Sequence, residues 1–119
     1  MRFLVFAFAL TLAAPAAAQN HRWTPTHIAL ASTATIAVLV DWAQTRQALR
    51  QGWIEANPVL GPRPSSRRLT AYNVTILLTV FGIGAALPSR WRAAWFAGVS
   101  AIEISTVTGN ARVGLHVGF

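Results

Sequence analysis

Apolar residues along this chain fall in four runs separated by short polar segments. The first, Phe3–Ala14, follows Arg2 and precedes Pro15 and the small residues Ala16, Ala17 and Ala18. Its length gives about 18 Å of helix, too short for a hydrocarbon core about 30 Å thick. A cationic start, a short apolar stretch and a small-residue end together form the pattern of a secretory signal peptide. Residues 1–18 are therefore expected to be a signal peptide cleaved after Ala18, with 19–119 as the membrane domain. Left uncleaved, the segment would add a fourth span.

The second run, Ile28–Val40, carries no charge, and its helix can continue past Asp41 and Trp42 to Gln51. Gly52 is a natural stop, because the residue just past a helix often needs positive φ. The third run, Leu69–Leu87, gives roughly 28 Å of helix. The fourth begins near Trp91 and leaves through Thr108-Gly109-Asn110. Between the second and third runs, Pro58, Pro62 and Pro64 each push the preceding residue out of the helical region, which makes 52–68 a loop. Pro88–Arg92 reads as a tight turn, and the tail ARVGLHVGF is apolar enough to rest on a membrane surface. The fold class expected is all-α: an integral membrane helical bundle with three transmembrane helices, about 26–43, 69–87 and 91–108. The loop 44–68 would lie in the cytoplasm.

Composition supports a membrane setting. The 119 residues are 54% hydrophobic and 11% charged, whereas soluble domains carry about 25% charged residues. The absence of cysteine excludes a disulfide scaffold, a thiolate metal site and a Cys nucleophile. A net charge of +7 invites a nucleic-acid reading, but the arginines flank apolar runs instead of gathering on one solvated face. That placement is a topology signal. Arg46, Arg50, Arg63, Arg67, Arg68 and Arg112 fall on one side, and Arg22, Arg90 and Arg92 on the other. The bacterial inner (cytoplasmic) membrane is expected, with the N-terminus outside and the C-terminus in the cytoplasm. A signal peptide requires the same orientation.

Ionisable groups within spans are costly, and each is a candidate for function. Glu103 lies past the midplane of the third span, with Thr106 and Asn110 at i+3 and i+7 on the same face. Asp41 lies near the cytoplasmic end of the first span, with Gln44 and Thr45 at i+3 and i+4. Tyr72 and Asn73 enter the second span at the same depth. These positions predict an intramembrane polar cluster of Asp41, Thr45, Asn73, Glu103, Thr106 and Asn110. It would serve either as helix-to-helix glue or as a proton- or cation-binding site. Ala93, Ala97, Ala101 and Ser105 recur every four residues, and Gly82 precedes Ala86 by the same step, a spacing that permits close helix approach. His21 and His27 have no third ligand nearby, so no metal and no cofactor is expected. Ser65-Ser66-Arg67-Arg68 reads as a topology anchor on anionic lipid.

The stretch DWAQTRQALRQGWIEANPVLG resembles a motif in a family of small multi-pass membrane proteins from bacteria and archaea with no assigned activity. The family pattern is D-x-x-x-T, a glycine, then E-x-N-P at the end of a helix. The matching positions are Asp41, Thr45, Gly52, Glu55, Asn57 and Pro58. The resemblance covers about 18 residues and implies a fold class rather than a reaction. From the residues themselves, the Asn57 side chain is suited to capping a backbone end. Glu55 is within reach of Arg46, Arg50 or Asn73, and the segment reads as a turn tucked under the bundle.

The function expected is that of a non-enzymatic accessory or scaffold subunit acting through helix–helix contacts. Its partners would be the lipid bilayer and a second copy or another membrane protein, with no nucleic acid. The alternative is a permeability protein, a holin-like pore or small proton-coupled carrier, using Glu103 and Asp41. An intramembrane enzyme is disfavoured, because no two carboxylates stand at a defined catalytic spacing.

Overall fold

The computed structural model describes residues 22–117. Among them are three α-helices and no strand: α1 Pro25–Arg50, α2 Ser66–Ala86 and α3 Ser89–Arg112. The expected signal peptide and His21 lie outside the described residues.

Local chemistry sets the helix ends. Thr24 caps α1: its hydroxyl accepts from His27 N–H, and His27 Nδ1 accepts from Thr24 N–H at 3.1 Å. Two of the N–H groups that a helix start leaves without partners are thereby used. Pro25 follows at the position where a missing N–H costs nothing. Gly52 ends the helix at φ +85°, as its place after the apolar run predicts. Ser65 caps α2, its hydroxyl accepting from Arg68 N–H. The segment read as a lipid anchor is thus first of all a helix start. The turn expected over 88–92 is shorter, because α3 has already begun at Ser89 and only Leu87 and Pro88 link it to α2.

Helices α1 and α3 run parallel. Ser100 Oγ donates to Leu30 O across 70 positions, and Asn110 meets Asp41 across 69. A near-constant offset arises only if both helices point the same way. Helix α2 runs antiparallel to both: Gly84, near its end, meets Arg92 near the start of α3, while Asn73, near its start, shares a cavity with Asn110. The α1–α3 pair carries most of the packing between helices.

The core consists of Ala31, Ala34, Val80, Phe96 and Val99, with Leu30, Ile76 and Trp95 against it. Two alanines on α1 let α3 approach closely, and the Phe96 ring fills the space left by the absent side chain of Gly84. A Cβ on Gly84 would collide with that ring. The Trp95 indole donates to Val80 O at 2.9 Å and ties α3 to α2.

The small-residue spacing is not what packs the chain together. Ala97, Ala101 and Ser105 are exposed and Ala93 only half-buried, while α3 turns Arg92, Phe96, Val99 and Ser100 inward. Gly82 and Ala86 are likewise exposed. The reason is volume, since the interior is organised around one large ring facing small residues on α1 and α2, and not around α3's own small residues.

Helices α1 and α2 are long and apolar enough to cross a membrane, and only 28% and 22% of their most apolar windows are buried. Leu78 is 70% exposed, and Ile36, Leu39, Phe81, Ile102 and Ile104 also point outward. Helix α3 covers the segment expected as the third span but is not one of those two. Arg90, Arg92, Glu103 and its serines, threonines and asparagine lower its hydropathy. The outward hydroxyls of Thr33 and Thr75 donate to carbonyls four residues back, so they present no unsatisfied donor to their surroundings.

Candidate functional site

The polar site is built at the end of the bundle where α1 and α3 finish and α2 begins. On α1 the buried positions Ala31, Ala34 and Val38 lead, in steps of three or four, to Asp41 and Gln44. On α3 the series Phe96, Val99, Glu103, Thr106, Asn110 follows the same steps. Both helices thus keep one face toward each other while that face changes from apolar to polar.

Asn110 Nδ2 donates to Asp41 Oδ1 and to Gln44 Oε1, each at 3.1 Å. Gln44 Nε2 donates in turn to Val107 O at 3.3 Å and Leu115 O at 3.2 Å. Gln44 is the buried centre of the network, a role that belonged to the expected neighbourhood of Asp41 but not to the expected cluster itself. Gly114 takes φ +91°, turning the chain back so that Leu115 is 5% exposed and closes the end of the bundle.

The loop after α1 folds under this end, as the prolines and Asn57 suggest. Glu55 N–H donates to Pro62 O at 3.0 Å, and Glu55 Oε1 accepts from Asn57 N–H at 2.8 Å. Asn57 Oδ1 accepts from Val59 N–H, and its Nδ2 donates to the Tyr72 hydroxyl at 2.8 Å. Arg68 ties the loop to α2 by donating to Val59 O at 2.8 Å. The hydrogen bonds of Glu55 are thus made inside its own loop, where an arginine or Asn73 was expected. Pro58 is exposed and sets the turn without entering the site.

Helices and loop together line a partly open cavity of about 200 Å³. Asp41, Thr45, Glu55, Tyr72, Asn73, Thr106 and Asn110 supply its polar lining, and Trp53, Leu60, Leu69 and Leu115 are among its apolar walls. Five of the six residues of the expected cluster are thus brought together. Glu103 does not line the cavity, since it lies two helical turns before Asn110. Among the described residues no group of three or more His, Cys, Asp or Glu comes together.

The opposite end is organised by Arg92, fully buried where arginine counting treats it as a loop charge. Its Nε donates to Gly84 O at 2.7 Å, and its Nη2 donates to Ala85 O and Leu87 O. These carbonyls belong to the last turn of α2, which has no helical donors left for them. Nη1 reaches Arg22 O at 3.0 Å, and the guanidinium lies 4.6 Å from the Trp23 ring centroid. A cation at the negative end of a helix dipole is favourable. The only hint in the sequence is an arginine four residues after a proline that ends an apolar run.

No family model matches the chain, and neither a curated protein nor a solved structure is detectably similar to it.

Proposed function

We propose that the chain is a small integral protein of the bacterial inner membrane, a non-enzymatic accessory or scaffold subunit working through helix–helix contacts. The observation carrying this reading is the fate of the polar groups between α1 and α3. Asp41, Gln44 and Asn110 bond to one another and to two backbone carbonyls, the arrangement of polar residues that fix helix register. The outward apolar side chains of α1 and α2 suit a lipid surround. The exposed Ala97, Ala101 and Ser105 would let a partner helix come close. In this reading a cleaved signal peptide places the N-terminus outside, α3 crosses as a third span and the arginine-rich loop is cytoplasmic. The likeness of residues 41–58 to a family of small multi-pass proteins belongs to the same proposal.

The permeability reading needs a polar route from Glu103 to both faces, and the packed core of Ala31, Ala34, Val80, Phe96 and Val99 weighs against it. The deciding experiment follows membrane potential with a dye while the protein is induced in a bacterial host, beside Glu103→Gln at matched abundance. The scaffold reading expects an unchanged potential, and disulfide-linked species when Ala101→Cys is oxidised in the membrane. A potential that collapses with the native chain and survives with Glu103→Gln would overturn it in favour of conduction.

A further inference from the structure

The cavity contains two acceptors that the fold leaves unused. Asn73 is only 6% exposed, and its Nδ2 donates to Leu69 O at 2.9 Å. Its Oδ1 accepts no hydrogen bond from the described residues, although the side chain lines the cavity. That oxygen is not sealed away from solvent, so it stands as an acceptor within reach of a ligand's donor in the cavity. Glu55 is in a similar position. One carboxylate oxygen takes the Asn57 N–H, the other accepts no hydrogen bond from the described residues, and the residue lines the cavity.

The lining contains no cationic side chain, and it includes the Glu55 carboxylate. A ligand matched to these walls is positively charged and rich in N–H donors. A divalent metal ion would want six or more oxygens, whereas much of this wall is apolar and includes the Trp53 indole. Aromatic and apolar walls suit the carbon chain of an organic cation, and an indole face attracts its charge. From this we infer that the cavity binds the ammonium group of a small primary amine, held by Glu55 and Asn73. Next to it, sharing Leu49 and Leu69, lies a groove lined by Arg46, Arg50 and Ser66. That groove suits a phosphate, so the amine is either the head group of an ethanolamine lipid or a free molecule with the same ammonium. The inference concerns this cavity alone and does not depend on the scaffold role.

The test uses the full chain in nanodiscs of phosphatidylglycerol, titrated with ethanolamine in a calorimeter. Saturable binding is expected, with tetramethylammonium, which has no N–H, binding at least about tenfold more weakly. Glu55→Gln keeps an oxygen for Asn57 N–H and removes the charge, and should weaken ethanolamine by about tenfold or more. Asn73→Leu, checked for native helicity, should do the same if Glu55→Gln fails to fold. Repeating the titration in discs containing phosphatidylethanolamine separates the sources. Lost ethanolamine binding would identify the lipid head group, and retained binding a free amine. Absence of saturable binding to the native chain would overturn the inference, as would tetramethylammonium binding equally well or unchanged affinity in a folded variant.

Discussion

The two ends of the bundle solve the same problem with different chemistry. Helix ends leave backbone groups without helical partners, and both ends bring polar side chains into the interior, where they meet backbone carbonyls. At the Arg92 end one side chain closes the last turn of α2 by itself, reaching three of its carbonyls and one from the segment before α1. At the Asp41 end the work is divided among Asp41, Gln44, Asn110 and the returning tail, and a cavity remains beneath the loop. A planar guanidinium with five donors can close a site completely. Short amides and carboxylates satisfy one another pairwise and leave acceptors over. Of the two ends, the second is therefore the one with room for a ligand.

The largest effect should come from removing the closure. Arg92→Leu strands the carbonyls of Gly84, Ala85 and Leu87 and should cost about 3 kcal/mol or more. Denaturant titration of the detergent-solubilised protein, followed by helical circular dichroism, measures it. A loss below that of Asn110→Ala would reverse the ranking of the two ends. Gly84→Ala attacks the packing beside the same closure. Its new methyl meets the fully buried Phe96 ring, and overpacking of this kind costs about 1–3 kcal/mol. The double variant with Phe96→Leu should recover part of that loss.

At the open end the expected change is smaller. Asn110→Ala removes two donated hydrogen bonds and should cost about 1–2 kcal/mol in the same titration. Thr24→Ala, which removes one capping hydroxyl from the first turn of α1, should cost about 1 kcal/mol. If Thr24→Ala proves the more damaging of these two, the cross-helix network matters less to stability than one local cap.

What the sequence made legible follows from the range of the forces involved. Apolar run length placed α1, α2 and α3, and Gly52 marked the end of α1 because its signal is local. Asp41, Thr45, Asn73, Thr106 and Asn110 were traceable as neighbours because helical rise converts sequence position into depth. Glu103 was grouped with them on face and depth, yet the cavity begins nearer the helix ends. Arg92 was misread because its partners are backbone carbonyls, which no residue code displays. The same holds for Gln44, which reaches Val107 O and Leu115 O, and for Gly84, whose value lies in what Phe96 needs. The tail reversed direction through Gly114, a single positive φ in a segment that otherwise reads as uniformly apolar.

The parallel pairing of α1 with α3 also bears on how the protein comes to exist. Its main interface joins the first described helix to the last, so α1 and α2 leave the ribosome before the surface that organises them has been made. Phe96, Arg92 and Asn110 all arrive with the final helix, and long-range partnerships of this kind delay folding. A nascent chain stopped before Ser89 would hold two apolar helices with no core ring, no closure for the end of α2 and half a cavity. Such an intermediate exposes apolar surface while it waits, and its survival depends on the membrane or a chaperone shielding it until α3 is complete.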